Sequence, residues 1–405
     1  MTYRSRTIRS CAAVGAAAIL VSVCAIQQPA GSNATAATPE TAADVEIDDE
    51  EQMLIEMRLR ALAAESEEGE ESFGFDALPM SIEELDALST LPGNLVALPA
   101  TPPYPEDNLP TPERIELGWK LYFDKRLSGD TSMSCATCHD PSKGWGDGLK
   151  RAIGFGHKEL GRHSPTVINT AYNTVQFWDG RAATLEQQAL GPILADGEMN
   201  MASPEAAMEV IMQAPEYAGA FEKAYGSKPN WDDVGRAIAA FERTVITGPS
   251  KFDRYVQGDK DALNESEKRG LILFTTTASC TACHSGPNFT DNKFHMIGVR
   301  QEGPLSEDIG RQAITNADED RNSFKTPGLR NIEQSAPYMH DGSLATLEEV
   351  VEFYDKGGER DDNRSKLIQP LNLTESHKAD LVAFLKALTG ELPQIEAPDG
   401  EAFGP

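Results

Sequence analysis

Cys135-Ala136-Thr137-Cys138-His139 and Cys280-Thr281-Ala282-Cys283-His284 are two copies of one short pattern, and their reading decides the fold. Each sets two thiols three positions apart and follows the second directly with an imidazole. That is the spacing of c-type haem attachment, in which the thiols form thioethers to the porphyrin and the histidine binds iron. A shuffled chain of this composition contains roughly 0.0015 such matches, so two are not accidental. A thioredoxin-like redox pair or a zinc site would use the cysteines but leave a histidine beside both pairs unexplained. The motifs therefore predict two covalent haems, attached through Cys135, Cys138, Cys280 and Cys283, with His139 and His284 as axial ligands.

Working outward, Gly118-Trp119-Lys120-Leu121-Tyr122 precedes the first motif and Gly270-Leu271-Ile272-Leu273-Phe274 precedes the second. A short helix ending in an aromatic residue before each cysteine pair indicates an internal duplication. Val234, Ala237, Ile238, Phe241 and Val245 share one helical face. Leu381, Phe384, Leu385 and Leu388 share another, in a helix expected to be capped by Thr374 and ended by Gly390. Alternating strand patterns are scarce. The expected fold is mainly α: two cytochrome c-like haem domains with long loops, at 92–247 and 248–392, followed by a tail at 393–405.

The chain has 405 residues and a formal charge of −28, a balance that repels nucleic acid and excludes it as a partner. Arg4, Arg6 and Arg9 precede an uncharged run from Cys11 to Ala25, the pattern of a secretory signal peptide over residues 1–30, which places the protein in the periplasm. The run is about 15 residues, short of the roughly 18 to 20 a spanning helix needs. Val21-Ser22-Val23-Cys24 resembles a lipidation box, but valine before the cysteine fits it poorly. Residues 31–91 read as an acidic, largely disordered linker, since from Asp44 to Asp86 there are 16 acidic residues against Arg58 and Arg60. A short helix around Met53 to Leu62 is compatible with this, and Pro99, Pro102, Pro103, Pro105 and Pro110 mark an extended entry into the folded part.

The second axial position of each iron separates an electron carrier from an enzyme, because a sixth protein ligand blocks a substrate. His157, His163, His295, His340, Met296, Met339 and Tyr354 are the candidates, and spacing alone does not choose among them. A non-catalytic di-haem electron-transfer cytochrome is the alternative to an enzyme and requires both irons to be six-coordinate.

A longer set of motifs carries a resemblance. Leu121-Tyr122-Phe123-Asp124, Arg162-His163-Ser164-Pro165-Thr166-Val167, Phe177-Trp178-Asp179-Gly180-Arg181, Gly191-Pro192, Glu198-Met199, Leu329-Arg330-Asn331 and Ala336-Pro337-Tyr338-Met339-His340-Asp341-Gly342 follow in order between Leu117 and Thr389. In these the chain resembles the bacterial di-haem cytochrome c peroxidases and the related MauG enzymes, which modify tryptophan in methylamine utilisation. The resemblance implies that hydrogen peroxide reacts at the amino-terminal haem, of which His139 is the proximal ligand. It implies that Gln188, Pro192 and Glu198 form the distal pocket, with Glu198 as general acid-base. Trp178 then lies between the haems and electrons pass through the carboxy-terminal haem. A small cytochrome c or cupredoxin as donor, or a protein substrate, is implied as partner, a homodimer is compatible with it, and one calcium ion between the haems is a family feature.

Three departures bear on these expectations. Phe155 falls where the typical peroxidase has a histidine that occupies the amino-terminal iron until the other haem is reduced, and phenylalanine cannot bind iron. Tyr354 falls where the carboxy-terminal haem usually takes methionine, as in MauG, and an anionic oxygen donor would favour ferric or higher states. His163 stands where the family has a calcium-binding asparagine, and neutral imidazole is a poor ligand for an ion that prefers oxygen.

Overall fold

The computed structural model describes residues 78–305, 307–359 and 364–403. The signal peptide, the Cys24 anchor, the helix around Met53 to Leu62 and the linker up to residue 77 lie outside the described residues. Seven helices position the site: α1 (Ile82–Ala87), α2 (Pro112–Phe123), α3 (Leu185–Leu194), α4 (Trp231–Glu242), α5 (Glu265–Thr275), α6 (Leu347–Asp355) and α7 (Glu375–Lys386). Shorter helical turns and long loops join them. The strands are brief: β1 (Ile153–Gly154) pairs antiparallel with β2 (Lys158–Glu159), and β3 (Phe294–His295) with β4 (Phe324–Lys325).

Each half is organised by two crossing helices. Thr111 caps α2 by accepting the amide of Arg114 at 3.3 Å, and Asn230 caps α4 by accepting that of Asp233 at 3.0 Å. The two cross at Gly118, where a Cβ would lie 1.8 Å from the carbonyl oxygen of Ala237, so only glycine permits the approach. In the second half Asn264 and Thr374 cap α5 and α7. These helices cross at Gly270, where a Cβ would lie 2.0 Å from the carbonyl oxygen of Asp380.

The same three-ring cluster sits beneath each crossing. Tyr122, Trp145 and Phe241 have centroid separations of 5.9, 5.1 and 6.2 Å, taken as Tyr122–Trp145, Tyr122–Phe241 and Trp145–Phe241. Phe274, Phe289 and Phe384 repeat them at 6.0, 5.2 and 6.3 Å. Aromatic packing at these distances is favourable in tilted and edge-on geometry. The duplication inferred from the sequence is therefore present in the packing.

The predicted face of α4 is fully buried, with Val234, Ala237, Ile238 and Phe241 all at 2% exposure or less. The final helix differs from expectation at its end. It stops at Lys386, four residues before Gly390. Gly390 serves a different purpose: a Cβ there would lie 2.0 Å from the carbonyl oxygen of Gly248, so the glycine allows two backbones to meet.

Each core is closed by a segment from the far end of the chain. Residues 82–95, inside and just beyond the stretch read as linker, carry α1 and pack Leu85 and Leu95 into the second core. Asp86 accepts from Lys268 Nζ and Tyr255 Oη, both at 2.8 Å. Conversely, Leu392, Ile395 and Phe403 pack on the first core, and Trp119 Nε1 donates to the carbonyl of Glu396 at 2.8 Å. No helix among the described residues is long and apolar enough to cross a membrane.

Candidate active site

One cavity opens beside Cys135, Cys138 and His139, and a second beside Cys280, Cys283 and His284. They share a wall, to which His163, Pro165, Thr166, Phe177 and Trp178 contribute on both sides. The residues fit a covalent haem in each. His284 Nδ1 lies 3.0 Å from the carbonyl oxygen of Phe289 and donates to it, so Nε2 carries a free lone pair. Burial holds both His139 and His284 below the usual imidazole range, in the neutral form that ligates metal. The four cysteines are free of disulfides. Burial pushes the Cys138 and Cys280 thiols up to about 12, which is wrong for a reactive thiolate pair.

Gln188, Pro192 and Glu198 all border the first cavity. Gln188 and Pro192 lie on α3, whose amino end Thr184 caps by accepting the amide of Gln187 at 3.2 Å. Pro192 has no amide to give, which leaves the Gln188 carbonyl without its helical donor at the cavity wall. Past the helix, the chain turns so that Met199 N donates to Pro192 O at 3.1 Å, which brings Glu198 to the same cavity. The β1–β2 hairpin supports this turn. Gly154 approaches so closely that a Cβ would lie 1.8 Å from the carbonyl oxygen of Gly197, and the amide of Phe155 donates to Glu198 O at 2.9 Å.

Burial raises the carboxyl of Glu198 above its ordinary range, Arg181 opposes the rise at 3.7 Å, and Asp179 adds to it. Arg181 is held by Asp179 at 3.1 Å, Asp179 by Arg162 at 2.7 Å, and Arg162 by Asp308 at 2.6 Å. This chain of charges links the acid of the first cavity to the second half of the protein. Arg162 and Arg181 were visible within motifs, but Asp308 was not, because its partner is 146 positions away in sequence.

Phe155 and His157 occupy the hairpin turn closed by the Ile153–Glu159 and Gly154–Lys158 pairs. His157 is exposed, and neither residue borders the first cavity, which Leu160 and Leu305 line instead. Trp178 borders both cavities. Its indole Nε1 donates to His163 O at 3.0 Å, and its own carbonyl accepts the amide of Lys325 in β4 at 2.8 Å.

Among the candidates for the second cavity, most are committed elsewhere. His295 Nε2 pairs with Asp291 at 2.9 Å, and His340 Nε2 meets Gln301 at 3.0 Å while its ring stacks on Phe324 at 3.7 Å. Met296 is buried away from the cavity, its sulfur accepting Gly298 N. Tyr354 and Met339 both border the cavity. Tyr354 stands on α6, whose capping box joins Thr346 and Glu349, with Val350 and Val351 on the same cavity-facing side. No described residue hydrogen bonds to its hydroxyl, and burial raises its pKa well above the usual phenol value.

The side chain at the position associated with calcium is a poor ligand for that ion. His163 Nδ1 lies 2.9 Å from the carbonyl oxygen of Leu149 and takes it as a hydrogen-bond acceptor, while its backbone amide donates to His340 O at 2.8 Å. Burial keeps the ring below the usual imidazole range, so a neutral side chain fills the space between the halves.

A sequence profile of the di-haem cytochrome c peroxidase family matches residues 112–261. The methylamine utilization protein MauG of Methylorubrum extorquens is 45% identical over 302 residues, covering 74% of this chain and 85% of that protein. The chain belongs to the di-haem cytochrome c peroxidase and MauG family and is an oxidoreductase of the cytochrome-c peroxidase class, whose members carry two c-type haems. The cytochrome c551 peroxidase of Nitrosomonas europaea is 41% identical over 293 residues, covering 71% of this chain and 84% of that one. In three dimensions it is similar to the crystal structure of a MauG-like protein associated with microbial copper homeostasis, with a TM-score of 0.68 and 32% identity over 73% of this chain and 95% of that one.

Proposed function

We propose that the protein is an exported, periplasmic enzyme that reduces hydrogen peroxide at the first cavity and passes oxidising equivalents to the second, in the manner of a MauG-like enzyme. The observation that carries this is the shared wall: the acid Glu198 faces one cavity, Tyr354 faces the other, and Trp178 borders both. Haem bound at His139 supplies the redox-active iron at which peroxide is reduced.

The side chains account for protons and paths. As a carboxylate, Glu198 accepts the proton from the near oxygen of peroxide and returns it to the far oxygen as that leaves as water. Gln188 and Pro192, on the same wall, orient the peroxide against it. Reduction to two waters consumes two electrons and two further protons, and Trp178, which borders both cavities, carries those electrons between them. Tyr354 would hold the second haem through an anionic oxygen, which would favour its oxidised states. His163 takes the bridging place of a calcium ion between the halves. The electron source is a small cytochrome c or cupredoxin, for which a basic surface suits a chain of charge −28, or an oxidisable side chain of a protein substrate.

Because neither Phe155 nor His157 borders the first cavity, peroxide meets the all-ferric enzyme without prior reduction. Rapid mixing of ferric protein with peroxide should change the visible spectrum within the mixing time. A response confined to the half-reduced protein, relieved by His157→Gly, would overturn the proposal.

A further inference from the structure

The end of α4 carries an acid that the reaction as described does not use. Glu242 is 5% exposed, lies on the apolar face set by Ile238 and Val245, and borders the first cavity. Its Oε2 is buried and has no hydrogen-bond partner. Its neighbours are largely engaged, although the Nε of Arg243 is, like Glu242 Oε2, buried without a hydrogen-bond partner. Arg243, next in the chain, turns to Glu186 on α3 and bonds it at 2.7 and 3.2 Å. Tyr122 on α2 gives its hydroxyl to the carbonyl of His139 at 2.9 Å. The remaining neighbour is Cys135, whose thiol and that of Cys138 are the haem anchors and carry no charge once thioethers form.

An unpaired carboxylate in such a place is costly, which favours the neutral acid. Burial pushes its pKa up to about 8, with Arg243 opposing and Glu186 adding to the rise. Glu198 differs in kind, because Arg181 stands beside it and a third of its side chain, 32%, is open.

We infer that Glu242 is a second acid of the peroxide site, a protonated carboxyl at the cavity edge beside Cys135 that releases its proton when positive charge builds on the haem held there. The inference rests on the first cavity being the haem site. One electron leaves the haem, to peroxide in turnover or to the electrode in a titration, and one proton leaves Glu242 toward solvent, so the net charge inside the cavity is unchanged. In a low-dielectric site this compensation favours the oxidised state, and it does so more as pH rises and the carboxylate becomes easier to form.

The test is a spectroelectrochemical titration of the two-haem protein at a series of pH values, read at the first haem. The wild type should show an oxidation equilibrium that shifts by about tenfold per pH unit over the range where Glu242 releases its proton. Glu242→Gln keeps the shape and removes the proton, and should flatten the dependence, while Glu198→Gln should retain it. Redox-difference infrared spectra of wild-type protein labelled at glutamate detect the same proton even if the variant folds poorly. Loss of a protonated carboxyl stretch on oxidation is the expected result. An unchanged pH dependence in Glu242→Gln, or no carboxyl signal in the labelled protein, would overturn the inference. A two-haem protein inert to peroxide would sink the peroxide reading instead, and leaves the Glu242 titration readable.

Discussion

The indole Nε1 of Trp178 lies 3.0 Å from the carbonyl oxygen of His163, and both residues border both cavities. The hydrogen bond fixes the ring in the wall that separates the two haem sites, and the Trp178 carbonyl is fixed in turn by Lys325 N from the other half. An aromatic ring held in that wall stands where the proposed electron path would run.

Trp178→Phe removes the donor and leaves the His163 carbonyl unpaired, at a cost of about 1–3 kcal/mol that the fold can absorb. The variant should still carry two haems by intact mass. Stopped-flow reduction of the first haem through the second should slow at least tenfold. Transfer at the wild-type rate would remove Trp178 from the path.

For Glu198, the sign of the pH dependence follows from its environment. Its carboxyl is raised above the ordinary range, and the carboxylate is the form that accepts a proton, so the peroxide reaction should be lost as pH falls through that raised value. Arg181 stabilises the carboxylate, hence Arg181→Leu should move the acidic limb to higher pH. Glu198→Gln should lower the rate of reaction with peroxide by about 10²- to 10⁴-fold. A limb that does not move in Arg181→Leu would assign it to another group.

Tyr354 is tested by electron paramagnetic resonance and potentiometry together. Tyr354→Phe should alter the low-spin ferric signal of the second haem, and Tyr354→Met should raise that haem's potential, because a neutral sulfur replaces an anionic oxygen. The signal of the first haem should stay put in both. If Tyr354→Phe changes nothing, Met339, which borders the same cavity, becomes the ligand to examine.

With His163 in the place of a calcium ligand, the proposed bridge between the halves needs no calcium. Extended chelation should leave activity and spectra of the wild type unchanged, whereas His163→Asn, which restores an oxygen donor, should make them respond to added calcium. Inactivation of the wild type by chelator, reversed by calcium, would show that an ion is held there after all.

The helix crossings predict matched lesions. Gly118→Ala and Gly270→Ala each force a methyl against a backbone carbonyl, at 1.8 and 2.0 Å respectively. Each should destabilise the protein by about 1–3 kcal/mol or more, since backbone cannot yield as a flexible side chain does. Calorimetric melting of the two variants should show losses of similar size. An unaffected Gly270→Ala would mean that the second crossing is looser than its twin.

Much of this protein was legible in its sequence because the information is local. The two haem motifs need only adjacent residues, the helices before them carry their own caps and apolar faces, and the duplication repeats in register. Family membership followed from short motifs in a set order. What the tertiary structure alone decided is where distant segments meet. Gly390 reads as a helix stop, yet a backbone contact with Gly248 explains it. The acidic stretch before residue 92 reads as linker throughout, because its composition outweighs the single apolar side of α1, but Leu85 finds a buried place only in a core formed some 170 residues later. Asp308 enters the charge network of Glu198 only through folding. Glu242 stands on an apolar helical face where the sequence shows only an acid beside an arginine, and the fold turns that arginine toward Glu186. Burial, and with it the protonation of an acid, belongs to the assembled cavity: a property of all the surrounding segments, which no one of them records.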